Sequence, residues 1–341
     1  MSNDTVPFKV GITRDFLAED GTLGYGDIGL SILKNAENVE FEFLAENTSE
    51  LLPEQIRDYH GLLVLSPKLS ANSLSQAKKL RVVARFGVGY DSVDVPSCTA
   101  NGTLLTITPN AVRRPVAVSA LTFLLSLSHR LVIKDKLTRT GQWNQRLDHM
   151  GQGLGGRILG VVGVGNIGQE VFRVAQNLDL QFLGYDPHTP QEAVKDLGVE
   201  LVSLETLLAE SDYIVICCTL IPETHHLINA ERLSLLKPSA FLINVSRGPV
   251  VDQAALYEAL KTNQIQGAGL DVFEQEPIDP KDPLLQLENV ILAPHSLCWT
   301  DQFFEAIGYE ACQSIVDVAH GKCPSGIVNR EALQHEAVDL H

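Results

Sequence analysis

Three side chains in the last third of the chain could together do acid–base chemistry on a carbonyl. They are Arg247 in Asn-Val-Ser-Arg-Gly, Glu276 in Leu-Asp-Val-Phe-Glu-Gln-Glu-Pro, and His295 in Ala-Pro-His-Ser. An arginine guanidinium holds a carboxylate by forked hydrogen bonds and polarises a carbonyl beside it. A histidine, with an unperturbed pKa of about 6.5, holds or gives up a proton near neutrality. A carboxylate next to that histidine favours the imidazolium and orients the ring. Singly, each has a structural reading as well. Arg247 fits a surface arginine, Glu276 a helix-start acid before Pro277, and His295 a capped loop residue. They share a position: each follows a short apolar run, at 241–245, 268–272 and 290–293. In open α/β sheets, ligands bind beyond the carboxyl ends of strands.

The elements that must position them begin at residue 158. Ile158-Leu-Gly-Val-Val162 reads as a buried strand, and Gly163, Gly165 and Gly168 then give G-x-G-x-x-G. A helix-like segment over 166–178 carries Ile167, Val171, Val174 and Leu178 on one face, and a second apolar run ends at Asp186. Gly163 permits the tight turn out of the strand, and Gly165 lets the backbone approach a pyrophosphate at the helix N-terminus. Gly168 lets helix and strand pack closely. Asp186 sits where a carboxylate accepts hydrogen bonds from a ribose and repels a 2′-phosphate, which favours NAD over NADP. Three glycines alone also fit a simple glycine-rich turn; strand, helix, second strand and acid in register predict dinucleotide binding.

The chain has 341 residues, enough for two domains with full cores. Its net charge of −16 argues against nucleic acid and anionic membranes as partners. No apolar run reaches the ~20 residues of a membrane helix. The N-terminus lacks the basic and apolar regions of a signal peptide, so a cytoplasmic location is expected. The six cysteines form no C-x-x-C pair, and Cys217-Cys218 read as small core residues. Histidines and acids show no ligand spacing, so no metal is expected, and His225-His226 read as solvated.

Residues 8–107 alternate strand candidates (8–13, 39–44, 61–66, 82–86, 103–105) with helical or polar stretches, which predicts a parallel sheet with helices on both faces. The loop Arg85-Phe-Gly-Val-Gly-Tyr-Asp91 follows the fourth strand and is either a substrate contact or a plain strand-to-helix turn. A helix over about 116–131 is apolar nearly all round, which suggests burial between domains or at a subunit contact. Arg113 and Arg114 before it are a solvated helix start or a substrate contact. The stretch 138–156 looks like an arm or loop. Beyond residue 157, about six parallel strands are expected, and a last helix over 300–320 packs back on the first domain.

The chain resembles the NAD-dependent D-2-hydroxyacid dehydrogenases, the group with glycerate, D-lactate and phosphoglycerate dehydrogenases. The residues that carry the resemblance are Gly163-Val-Gly-Asn-Ile-Gly168 with Asp186, Asn244-Val-Ser-Arg-Gly-Pro-Val-Val-Asp252, Gly269-Leu-Asp-Val-Phe-Glu-Gln-Glu-Pro277 and Asn289-Val-Ile-Leu-Ala-Pro-His295. Weaker matches are the Gly87 loop, Gly141-Gln-Trp143 and Pro222-Glu-Thr224. The resemblance implies an α/β protein of two doubly wound parallel-sheet domains. A Rossmann NAD-binding domain, 108–296, would be inserted into a discontinuous flavodoxin-like substrate domain, 1–107 with 297–341. It implies that Arg247 binds a small 2-keto acid, that Glu276 pairs with His295, and that His295 passes the proton. It places Val88 and Gly89 against the substrate carboxylate and Asp271 near the nicotinamide. With Gly163, Gly165, Asn166, Ile167, Gly168, Asp186 and Thr219, Asp271 completes the expected cofactor contacts. A homodimer is expected. After the histidine, Ser296-Leu-Cys-Trp299 departs from the small residues usual in the family, and bulky Leu297 and Trp299 could reshape the substrate pocket. An NADH-binding corepressor with little catalysis is the alternative from another class.

Overall fold

The computed structural model describes residues 6–336, Val338 and Leu340. The chain divides into two compact units, Met1–Val112 with Trp299–His341, and Arg113–Cys298. The first unit is a five-stranded sheet of β1 (Phe8–Ile12), β2 (Val39–Phe43), β3 (Gly61–Val64), β4 (Val82–Arg85) and β5 (Leu104–Thr106). All pairings are parallel and the order is β2-β1-β3-β4-β5, a flavodoxin-like winding. The inner strands are largely apolar: Val10, Ile12, Leu62, Leu63, Val64, Val82 and Val83 are buried. Such continuous apolar runs are what a sheet covered on both faces demands. The last helix, Asp301–Ala319, packs on β3, β4 and the short helix Leu30–Asn35. Contact there is backbone to backbone: a Cβ on Gly29 would stand 2.4 Å from the Gly308 carbonyl.

The second unit has seven parallel strands where six were expected. They are β6 (Ile158–Val162), β7 (Gln181–Tyr185), β8 (Val199–Leu201), β9 (Tyr213–Ile216), β10 (Phe241–Asn244), β11 (Gly267–Leu270) and β12 (Val290–Leu292). The order is β12-β11-β10-β9-β6-β7-β8, a Rossmann winding whose switch point lies between β6 and β9. The strand missed from the sequence is β8, three residues at the sheet edge, too short for an apolar pattern to stand out. Because every strand runs the same way, the residues after β6, β7, β9, β10, β11 and β12 all reach one edge of this sheet.

The long helix runs Pro109–Ser128 rather than 116–131. It starts earlier because Glu310 caps it: the carboxylate accepts the Ala111 N–H at 3.0 Å and the Asn110 amide at 3.1 Å. That cap is why residues up to Val112 group with the first unit instead of ending at 107. At 20 residues the helix is long and apolar enough, by length and composition, to cross a membrane, so length does not exclude that role as the sequence had suggested. Half of its most apolar window is buried, and Ala117, Ala120, Phe123 and Leu124 enter the core of the second unit, as in a core helix of a folded domain. Phe123 lies on Gly269 of β11, where a Cβ would meet its ring at 2.7 Å. The segment expected to be an arm from 138 is the end of a helix, Leu131–Arg139, followed by a 3-10 turn, Trp143–His149.

Arg113 and Arg114 do not stand alone at the helix start. With Arg173 they surround Glu170, whose side chain is only 8% exposed, at 3.7, 2.9 and 3.2 Å. Burial pushes the Glu170 carboxyl up, but the hydrogen bonds from Arg114 and Arg173 and the guanidinium charges outweigh it and hold it below its ordinary value. A depressed folded pKa contributes stability that is present above the unfolded pKa and is lost as pH falls through the folded one. Glu170→Gln is therefore expected to cost about 1–2 kcal/mol at pH 7, low in the range for charged hydrogen bonds because the arginines are partly exposed. Thermal midpoints of wild type and variant should converge as pH drops below the carboxylate range. A gap that persists unchanged at low pH would show that the carboxylate charge is not the source.

Candidate active site

At the switch point, the three glycines of the G-x-G-x-x-G turn are distinguishable by what surrounds them. Gly163 has φ +91°, and a Cβ there would stand 2.5 Å from the Cys218 backbone nitrogen past β9. A Cβ on Gly168 would stand 2.1 Å from the Gly163 carbonyl oxygen, so helix Asn166–Ala175 lies directly on the turn. Gly165 faces open space, with nothing within 4 Å of a Cβ. The open position is the N-cap of that helix, where unpaired N–H groups and the helix dipole favour an anion. Asn166 is exposed and Ile167 half-buried in its first turn. A pyrophosphate cradle fits these residues. Gly165→Ala is therefore expected to leave the thermal midpoint within about 2 °C of wild type while weakening NADH binding at least tenfold. Gly168→Ala should instead destabilise the fold, because its contact is backbone. Equal losses of NADH affinity and of stability in both variants would contradict this division.

Asp186, after β7, accepts the Val164 N–H at 2.9 Å and the His188 N–H at 2.8 Å. It ties the glycine turn to the next strand end, and its oxygens keep lone pairs for a ribose. Thr219 is exposed past β9, and its carbonyl accepts the Thr224 hydroxyl at 2.7 Å. Cys217 and Cys218 are half-buried; burial pushes both thiols up, Cys218 to about 11, so neither is a nucleophile at neutral pH.

Further along the same edge, β10, β11 and β12 deliver Arg247, Glu276 and His295. The His295 Nδ1 lies 2.7 Å from Glu276 Oε2, and Glu276 Oε1 accepts the Phe273 N–H at 2.9 Å. Burial pushes the Glu276 carboxyl up, but the hydrogen bonds from His295 and the Phe273 N–H, with the charges of His295 and Arg247, hold it below its ordinary value. The Glu276 carboxylate thus engages Nδ1 of the ring, and it leaves Nε2 as the ring nitrogen for a reacting atom. His295 has φ +53°, in the left-handed region that few non-glycine residues adopt. Arg247 Nη1 donates to the Ser246 carbonyl at 2.8 Å, and its own carbonyl accepts the Asn244 side-chain amide at 3.0 Å.

Asp271 was expected beside the nicotinamide. In the structure it is buried, and it accepts the N–H groups of Ser296 at 2.9 Å and Leu297 at 3.2 Å, which fixes the backbone just after His295. Burial pushes its carboxyl up despite those two donors and the His295 charge. Leu297 packs against the core of this unit, while Trp299 belongs to the first unit, edge-on to Tyr25 and Phe304. Val88 and Gly89 also lie in the first unit, half-buried past β4, in a loop opened by Gly87 at φ +129°. Among the described residues no group of three His, Cys, Asp or Glu could hold a metal.

Residues missed in the sequence include Ser246, whose hydroxyl donates to the Cys218 carbonyl at 2.5 Å. Gly248 was missed too. A Cβ there would stand 1.9 Å from the Phe273 carbonyl carbon, so the loops carrying Arg247 and Glu276 touch through backbone. The glycine beside Arg247 in the motif was the one available sign. The pairing of His226 with Glu274 at 2.8 Å had none, since the two lie 48 residues apart.

Residues 121–296 match the family model described as D-isomer specific 2-hydroxyacid dehydrogenase, NAD binding domain. The chain is 40% identical over 294 residues to a protein named glyoxylate reductase from Korarchaeum cryptofilum, covering 85% of this chain and 89% of that one. It is 38% identical over 313 residues to another so named from Thermococcus onnurineus, covering 89% and 93%. Among solved structures it resembles the D-lactate dehydrogenase of Aquifex aeolicus, determined with NAD and lactic acid, at a TM-score of 0.80 and 27% identity over 95% of this chain and 97% of that one.

Proposed function

The chain belongs to the D-isomer specific 2-hydroxyacid dehydrogenase family, and on that premise we propose that Arg247, Glu276 and His295 carry its reaction. The protein is an NAD-dependent oxidoreductase that interconverts a 2-keto acid and the D-2-hydroxy acid. The observation that carries the assignment of roles is the 2.7 Å contact of His295 with Glu276 at the strand edge that also holds Arg247. NAD, when bound in reduced form, supplies the hydride for the carbonyl carbon. Arg247 holds the substrate carboxylate and polarises the carbonyl. His295, with Nδ1 engaged by the Glu276 carboxylate, hands the proton from Nε2 to the carbonyl oxygen and takes it back in the reverse direction. Asp186 selects NAD over NADP by accepting from the ribose.

Glyoxylate is the first substrate this reading proposes, supported by the names of the relatives, with hydroxypyruvate next. A homodimer is proposed as well, supported by exposed apolar residues in the second unit: Leu131, Val132, Trp143, Leu147 and Met150. Sedimentation that finds only monomer at micromolar concentration would remove it. Six free cysteines support a reducing, cytoplasmic setting, to be checked by fractionating cells for the tagged chain. The stereochemical reading is tested in the oxidative direction: NAD⁺ reduction followed with D- and L-glycerate and with D- and L-lactate. Reduction with D-isomers alone is expected; reduction with L-isomers would overturn it.

A further inference from the structure

We propose that His226 is a positioning residue for the Glu276–His295 pair and acts through Glu274. This rests on His295 being the proton carrier, and it adds a second histidine outside the reacting set. The turn after β11 holds two glutamates two residues apart, and each faces a histidine. Glu276 meets His295 at 2.7 Å, and Glu274 Oε1 meets His226 Nε2 at 2.8 Å. Both histidines hold left-handed backbone, φ +53° for His295 and +50° for His226. Such conformations persist only where the surroundings over-determine them, and they gather at functional sites.

His226 is held from several sides. Its N–H donates to the Pro249 carbonyl at 2.8 Å, two residues after Arg247, and its ring stacks on His225 with centroids 4.1 Å apart. Its Nδ1 stands 4.0 Å from the Asp252 carboxylate. Glu274 is tied in turn to the start of helix Gln253–Lys261: its carboxylate accepts the Gln253 N–H at 3.1 Å, and its N–H donates to the Gln253 side chain at 3.1 Å. Gly248 brings the Arg247 loop against the Phe273–Glu274 peptide with no room for a Cβ. The Phe273 N–H of that same turn donates to Glu276. His226 and Glu274 therefore form a polar clasp across the seam where the Arg247 and Glu276 loops touch. Both are about a third exposed, at 37% and 34%, so the clasp adds little to stability. Its effect is on geometry: a looser Phe273–Glu276 turn lets the Glu276 carboxylate, and with it the His295 ring, wander from the reacting orientation.

The test is steady-state kinetics with glyoxylate and NADH on the full chain, for His226→Ala, His226→Gln and Glu274→Ala, each repeated in a Glu276→Gln background. His226→Ala is expected to lower kcat about three- to tenfold, with KM for NADH unchanged. His226→Gln, whose amide can donate to Glu274, should recover to within about twofold of wild type, and Glu274→Ala, which removes the acceptor, should lower kcat as His226→Ala does. In the Glu276→Gln background, where the clasp has no carboxylate to position, His226→Ala should add less than about twofold. Wild-type kcat in His226→Ala, or a loss fully additive with Glu276→Gln, would overturn the proposal. If His226→Ala fails to fold, the Glu274→Ala pair of measurements decides on the same terms. Failure of the underlying reading looks different: His295→Ala would then itself retain turnover.

Discussion

His295→Ala is expected to lower kcat for keto-acid reduction by about 10²–10⁴-fold, the range for loss of a positioned general acid. NADH binding should stay within about threefold of wild type, because the glycine turn at Gly163 to Gly168 is built from other strands than the one that delivers His295. The histidine is held by Glu276 through its ring and by Asp271 through the backbone of Ser296 and Leu297. Removing the imidazole leaves that second anchor intact, so the segment should keep its path and the thermal midpoint should hardly move. Glu276→Gln keeps a hydrogen-bond partner but removes the charge that favours the imidazolium, and a smaller fall, about 10- to 100-fold, is expected. Stopped-flow measurement of NADH oxidation, with NADH affinity by fluorescence titration, separates chemistry from binding. Unchanged turnover in His295→Ala would end its role as proton carrier.

Arg247→Ala is the second large effect. Two charge-assisted hydrogen bonds to a carboxylate, at about 1.5–3 kcal/mol each, correspond to a fall in kcat/KM of about 10²–10⁴-fold. The loss should appear in both KM for the keto acid and kcat, since the same guanidinium holds the carboxylate and polarises the carbonyl. Arg247→Lys should recover little, because an ammonium is a point charge without the fork. The backbone at this position is fixed independently of the side chain, by Asn244 donating to the Arg247 carbonyl and by Gly248 against Phe273, so the variants should fold. Wild-type kcat/KM in Arg247→Ala would place substrate binding elsewhere.

Much of the site was readable in the sequence because a parallel sheet turns strand ends into a common edge. Gly163, Asp186, Arg247, Glu276 and His295 each follow an apolar run, and that alone groups them. The long helix was misplaced because its start depends on Glu310, about two hundred residues away, and no local pattern near Pro109 reports that cap. The β8 strand has three residues and too little pattern to read. Nothing in the sequence around Asp271 reports that it also holds a neighbouring loop, which the N–H groups of Ser296 and Leu297 show. The His226–Glu274 clasp joins loops after different strands, so chain spacing carries no trace of it. Arg113 and Arg114 looked like a solvated pair because Glu170, which gathers them, lies on another helix.

The most direct measurement is NADH and NADPH oxidation followed in parallel at 340 nm with purified wild-type protein and a panel of glyoxylate, hydroxypyruvate, pyruvate, oxaloacetate, 2-oxoglutarate and branched keto acids. Turnover of glyoxylate or hydroxypyruvate with NADH, at least tenfold above that with NADPH, is expected. Silence across the panel while NADH still binds would contradict the assignment and leave the nucleotide serving a non-catalytic, interaction-based role.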